Sequence, residues 1–149
     1  MRLDKTLMRH DWTLLCTEAQ VSDTGAIDLG NVFSTFQVYS PFSELEQVET
    51  VLFDPPAVLA SHWTAEFENE RRVYPATIQL FAPGGDRVLW ENESSLDFRE
   101  QETRLMMYIL PSMQFVGSGT YKFHVLLGQY DVFGEWGRAA LAISEWKRN

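Results

Sequence analysis

Apolar residues in this chain recur at every second position, in short runs separated by turn signals. Ala76, Ile78 and Leu80 alternate with Thr77 and Gln79, and Tyr121, Phe123, Val125 and Leu127 alternate with Lys122 and His124. Ala139, Leu141 and Ile143 alternate with smaller residues; Trp63, Ala65 and Phe67 alternate with His62, Thr64, Glu66 and Glu68. Successive side chains on a strand point to opposite faces, so this period is that of half-buried strands. Turn signals fall at Ser22-Asp23-Thr24-Gly25, Asp54-Pro55-Pro56, Pro83-Gly84-Gly85-Asp86, Gly117-Ser118-Gly119 and Gly134 to Gly137. The runs Trp12 to Glu18, Gly30 to Tyr39, Arg87 to Asn92 and Arg104 to Leu110 complete a set of about eight strands. Pro83-Gly84-Gly85-Asp86 predicts a tight hairpin, because glycine supplies positive φ at no steric cost. Leu105 to Leu110 is apolar on both faces, which predicts a central strand or an interface.

One helix is predicted, over about residues 43–52. Ser43-Glu44-Leu45-Glu46 forms a capping box, in which the serine caps N–H groups and Glu46 reaches back. Leu45, Val48 and Leu52 fall on one helical face, and Glu44, Glu46 and Glu49 load the early turns, where the helix dipole favours negative charge. Pro55-Pro56 is expected to stop it. Many short strands with one inserted helix argue for an antiparallel β-sandwich rather than a parallel α/β sheet. The 149 residues suit a single domain, with a core from about 12 to 145 and residues 1–10 as an N-terminal extension.

Several classes are excluded at this stage. The single cysteine, Cys16, cannot form an intramolecular disulfide, so a disulfide scaffold is ruled out. No stretch of about 18 consecutive apolar residues exists to span a membrane. Met1 to Asp11 is mostly charged and lacks the apolar segment of a signal peptide, so a cytoplasmic location is expected. The formal charge of −9 disfavours nucleic acid as a partner, since phosphate contacts need clustered Lys and Arg.

That charge is unevenly placed. From His10 to Glu70 there is no Lys or Arg, against eleven acids: Asp11, Glu18, Asp23, Asp28, Glu44, Glu46, Glu49, Asp54, Glu66, Glu68 and Glu70. From Arg71 onward, nine acids balance nine bases. An acidic half of this kind either keeps the chain soluble or docks a basic partner.

Four segments resemble, in order, those of a family of small uncharacterised bacterial proteins, a domain-of-unknown-function group with an immunoglobulin-like sandwich. Leu14-Leu15-Cys16-Thr17-Glu18-Ala19 is similar to the opening strand, and Thr24 to Phe33 to the hairpin and strand that follow. Ile78 to Gly85 matches a mid-chain strand with its Gly-rich turn, and Gly119-Thr120-Tyr121-Lys122-Phe123 matches a late G-x-Y-x-F. The similarity runs from about Trp12 to Ile143. Thr17 stands where the family carries an acid, and the helix expected at Ser43 to Leu52 is longer than the family's connection. The resemblance implies an immunoglobulin-like antiparallel β-sandwich and a prokaryotic, intracellular setting, and it brings no catalytic residues. Independently, Gly119-Thr120-Tyr121 at the start of a late strand predicts a tyrosine corner, with the ring buried and the hydroxyl reaching backbone.

The chain carries little recognisable chemistry. His10, His62 and His124 lie on separate segments without metal-ligand spacing. Cys16 sits in an apolar strand, which points to a buried structural thiol. No phosphate-binding loop, dinucleotide fingerprint or nucleophile elbow is present. Asp97, Glu100 and Glu102, or Asp131 and Glu135, are the acids to check for calcium, with Arg99 and Arg104 opposing the first group. Glu66, Glu68, Glu91 and Glu93 could supply a carboxylate pair, yet a small sandwich offers little cleft to raise one pKa.

No enzyme activity and no cofactor is therefore expected. The residues point to a non-catalytic protein-interaction module, a subunit or adaptor in a prokaryotic complex. Its expected contacts with a basic protein partner are Glu44, Glu46 and Glu49 on the acidic helix, and Tyr130, Phe133 and Trp136 in an aromatic loop. The alternative is a sandwich binding a small ligand or carbohydrate through Trp136. A homodimer through the two-faced run Leu105 to Leu110 is a further expectation, with Met106 as the residue to test.

Overall fold

A computed structural model of the chain describes residues 9–39, 49–68, 71–85, 87–128 and 136–146. Among these, alternation becomes ten strands: β1 (Arg9–Cys16), β2 (Glu18–Val21), β3 (Ile27–Gly30), β4 (Thr35–Tyr39), β5 (Glu49–Thr64), β6 (Val73–Phe81), β7 (Val88–Asp97), β8 (Thr103–Phe115), β9 (Gly119–Leu127) and β10 (Trp136–Trp146). They form a three-stranded sheet in the order β1-β5-β8, a five-stranded sheet in the order β4-β10-β9-β6-β7, and a separate β2-β3 hairpin. Pairing is antiparallel throughout, save for β4 against β10. Neither larger sheet closes into a barrel. No helix among the described residues is long and apolar enough to cross a membrane.

The faces expected from alternation are the buried faces. Ala76, Ile78 and Leu80 of β6, Tyr121, Phe123, Val125 and Leu127 of β9, and Ala139, Leu141 and Ile143 of β10 are all buried. They share one cluster with Leu59 and Trp63 of β5 and Met106, Leu110 and Met113 of β8. Both sheets thus contribute to a single core. Burying this much aliphatic and aromatic surface is the main term favouring the fold.

Three of the turn signals fall at turns, whereas Asp54-Pro55-Pro56 lies inside β5. Gly25 N–H donates to the Ser22 carbonyl at 3.0 Å in the β2–β3 turn, and Gly85 N–H to the Ala82 carbonyl at 3.0 Å in the β6–β7 turn. The 116–118 segment carries the chain from the three-stranded to the five-stranded sheet. There the Tyr121 ring is fully buried. Its hydroxyl donates to the Gly117 carbonyl at 2.6 Å and accepts from the Val116 N–H at 2.8 Å, as the corner arrangement predicts.

Three expectations are corrected. The helix predicted over 43–52 fails at its C-terminal end, where residues 49–52 open β5 and pair with β8; residues 40–48 lie outside the described residues. Here Phe53 is buried and Val51 packs on the core, while Leu52 is 73% exposed. Cross-strand pairing and the alternate burial of these residues override the local helix signal. Pro55-Pro56, read as a helix stop, instead lies inside β5 where the β5–β8 register shifts between Leu52 and Ala57. Prolines donate no N–H, so a strand carries them at such irregularities.

Second, Leu105–Leu110 belongs to an edge strand rather than a central one. Met106 and Leu110 face the core, while Met107 and Ile109 are 48% and 65% exposed. Third, the alternation through Phe67 ends early, because β5 stops at Thr64 and Phe67 is 60% exposed. The run Gly30 to Tyr39 is likewise divided, ending β3 and then forming β4.

Candidate functional site

The expected partner-binding residues are not brought together among the described residues. Glu44, Glu46, Tyr130 and Phe133 lie outside them. Glu49 opens β5 opposite Phe115, and Trp136 opens β10 opposite Leu126. These two strands belong to different sheets, and both side chains lie outside the described residues.

Polar groups converge instead along the β1–β5 ladder. The register shifts between His10 and Trp12, so Asp11 occupies a bulge, a device that re-aims a side chain. The Asp11 Oδ2 atom accepts from Thr64 Oγ1 at 2.6 Å and from His62 Nδ1 at 2.6 Å, and Oδ1 accepts from Arg9 Nε at 2.8 Å. Arg9 also donates to Glu66, and to Thr64 Oγ1 at 3.3 Å. Partial burial pushes the Asp11 carboxyl up, but the hydrogen bonds from Thr64, Arg9 and His62 together outweigh it and hold the carboxyl below its ordinary value. The Trp12 ring stacks on His62, with centroids 5.4 Å apart and planes at 12°.

The opposite face of the same ladder carries a second polar chain. Trp63 Nε1 donates to Ser61 Oγ at 2.7 Å, Ser61 Oγ pairs with Thr13 Oγ1 at 2.7 Å, and Thr13 Oγ1 pairs with His10 Nε2 at 2.7 Å. The fully buried Ser61 and the polar end of Trp63 are satisfied in this way, as burial requires.

The outward cluster has definite chemical capacity. Donation from Nδ1 to Asp11 leaves Nε2 of His62 as the basic nitrogen. A carboxylate-oriented imidazole is the form used by metal-binding and proton-transferring histidines. Among the described residues, however, no three His, Cys, Asp or Glu side chains gather around a metal position. No sequence spacing announces Asp11 and His62, which lie 51 positions apart; only the cross-strand register brings them into contact.

The other candidates have structural partners. Burial pushes the Cys16 thiol up, and its Sγ lies 3.7 Å from the Val58 carbonyl. Arg99 holds Asp97 through Nε and Nη2 contacts of 2.8–3.2 Å, lowering its carboxyl to about 2. The guanidinium occupies the carboxylate a calcium ion would use, while Asp131 and Glu135 lie outside the described residues. Of the paired-carboxylate candidates, Glu66 engages Arg9 and Glu91 accepts from Gln79 Nε2 at 3.4 Å.

The β2–β3 hairpin displays three acids of the acidic half. Glu18, Asp23 and Asp28 are all exposed on it, as is Val21 at 51%. Compared with known proteins, the chain matches no family model and no curated protein.

Proposed function

We propose that this chain is a non-catalytic protein-interaction module, a subunit or adaptor in a prokaryotic intracellular complex. The observation that carries the reading is the β2–β3 hairpin. It forms a sheet of its own, presents Glu18, Asp23 and Asp28 to solvent, and adds an exposed Val21. No Lys or Arg lies between His10 and Glu70 to neutralise these acids. Acids on a short hairpin held by a rigid core steer a basic protein surface, and an apolar residue among them adds desolvated contact. Glu44, Glu46 and Glu49 extend the same acidic tract in sequence, and Tyr130, Phe133 and Trp136 are its proposed aromatic anchor.

The proposed scaffold is an immunoglobulin-like sandwich of the bacterial family described above. The buried Tyr121, with its hydroxyl on the Gly117 carbonyl, supports that reading, because this contact is the corner feature of such folds.

The test is capture from prokaryotic lysate at low and high salt, with the native chain and with Glu18→Lys/Asp28→Lys as bait. A stoichiometric basic partner, lost at high salt and lost by the variant, is the expected result. A partner held equally by both baits, or none at either salt, overturns the reading.

A second reading, binding of a small ligand such as a sugar, is favoured by one observation. The half-buried Trp12 ring stacks on His62, which bonds Asp11, itself held by Arg9, a mixture of aromatic and polar groups that suits a sugar. Titration with neutral oligosaccharides would quench tryptophan fluorescence in the native chain and not in Trp12→Ala.

A further inference from the structure

We propose that two copies of this chain pair through β8, joining their three-stranded sheets across a twofold axis into one continuous sheet. This goes beyond the acidic docking reading, which uses a different surface.

The first support is the backbone. Strand β8 stands at the edge of its sheet, and among the described residues no strand pairs with its outer side. It approaches β7 through its inward side chains, where Tyr108 meets Trp90 and Asn92. An edge strand presents a row of N–H and C=O groups, and antiparallel pairing about a twofold axis lets that row satisfy itself. Natural edges are blunted by charge, proline, bulges or brevity; of these, β8 carries Arg104 near its start and Pro111 further along. This one runs 13 residues, and between Arg104 and Lys122 it and the following turn carry no charge at all.

The second support is the outward face. Met107 and Ile109 are 48% and 65% exposed, and Leu52, across the ladder from Ser112, is 73% exposed. Their strand neighbours Met106 and Leu110 already supply the core, so folding of one copy does not need these outward side chains to be apolar. An exposed apolar row of this kind marks a contact surface.

Charge selects the occupant. Two chains of net charge −9 repel across their acidic halves, and the uncharged tract from Leu105 to Tyr121 is where they can meet without placing acid against acid. A basic partner gains nothing electrostatically from this tract, whereas a second copy matches both its edge and its apolar row. Met107 and Ile109, not the buried Met106, are therefore the residues that report on the contact.

Sedimentation of the full chain over a concentration series tests the proposal. The expected mass is twice 17.2 kDa, and added salt should tighten the pair by screening the repulsion between the acidic halves. Ile109→Lys and Met107→Lys, checked for folding by circular dichroism, should each return the mass to that of a single chain. Amide hydrogen exchange should show β8 edge protection that grows with concentration in the native chain, a readout that needs no variant. A single-chain mass at every concentration would overturn the proposal. So would a dimer that both variants leave intact, or one that salt dissociates. Glu18→Lys/Asp28→Lys should leave the dimer unchanged, so failure here and failure of the acidic docking reading are told apart.

Discussion

The Tyr121 hydroxyl donates to the Gly117 carbonyl at 2.6 Å and accepts from the Val116 N–H at 2.8 Å. One buried phenol thus fixes the turn through which the chain leaves the three-stranded sheet for the five-stranded one. Burial pushes this phenol's pKa up, against the two backbone hydrogen bonds, which lower it. Tyr121→Phe keeps the ring and removes both contacts, leaving a backbone donor and acceptor without their partner. It should cost about 1–3 kcal/mol, seen as a lower urea midpoint at unchanged m-value.

The same turn depends on Gly119. Its φ is +146°, and a Cβ built there would lie 2.7 Å from Pro83 Cβ and 2.8 Å from Pro83 Cγ. The β8–β9 turn therefore packs against the β6–β7 turn with no room for a side chain. Gly119→Ala should destabilise by about 1–3 kcal/mol from backbone strain, with the clash adding to it. Gly25→Ala, also at positive φ but with nothing within 4 Å, carries backbone strain without a clash. Thermal melts of the two variants should rank Gly119→Ala as the more damaging.

The Asp11 cluster makes stability depend on acid. Hydrogen bonds from Thr64, Arg9 and His62 outweigh partial burial, so the folded carboxyl lies below its ordinary value. A group lowered on folding adds stability above its unfolded pKa of about 3.9, and that stability is lost as pH falls through the lower folded value. Asp11→Asn should therefore cost about 1–3 kcal/mol at neutral pH. The gap between variant and native chain should shrink as pH falls below about 4. Urea denaturation at stepped pH reads this directly, and a gap that stayed constant would show that the carboxylate charge is not what the site uses.

How much of this was legible in the sequence follows from the range of each interaction. Alternation in β6, β9 and β10 named the buried faces correctly, because a period of two is a local property of the backbone. Gly84-Gly85 and Ser22 to Gly25 named their turns for the same reason. The capping box at Ser43 misleads for residues 49–52, because Glu49 to Leu52 take their pairing partners from β8, more than fifty residues away, and no local window sees them. Asp11 and His62 were invisible as a pair, since a bulge and a cross-strand register unite them. The two-sided apolar run at Leu105 lies on an edge strand rather than a central one. Its periodicity could not say which of Met106 and Met107 faces inward, because a one-residue slip exchanges the faces.

That last ambiguity is open to direct measurement. Met106 is 4% exposed and belongs to the core cluster, whereas its neighbour Met107 is 48% exposed. Met106→Lys buries an ammonium group at a position that belongs to the core, and should cost more than about 3 kcal/mol. Met107→Lys places the same charge in water, and in dilute solution should change stability by less than about 0.5 kcal/mol. Met106→Leu, which conserves volume, should cost less than about 1.5 kcal/mol and shows that charge rather than packing is at issue. Equal losses for the two lysine variants in denaturant titrations would mean that β8 is not set in the register that pairs Met106 with Ser61.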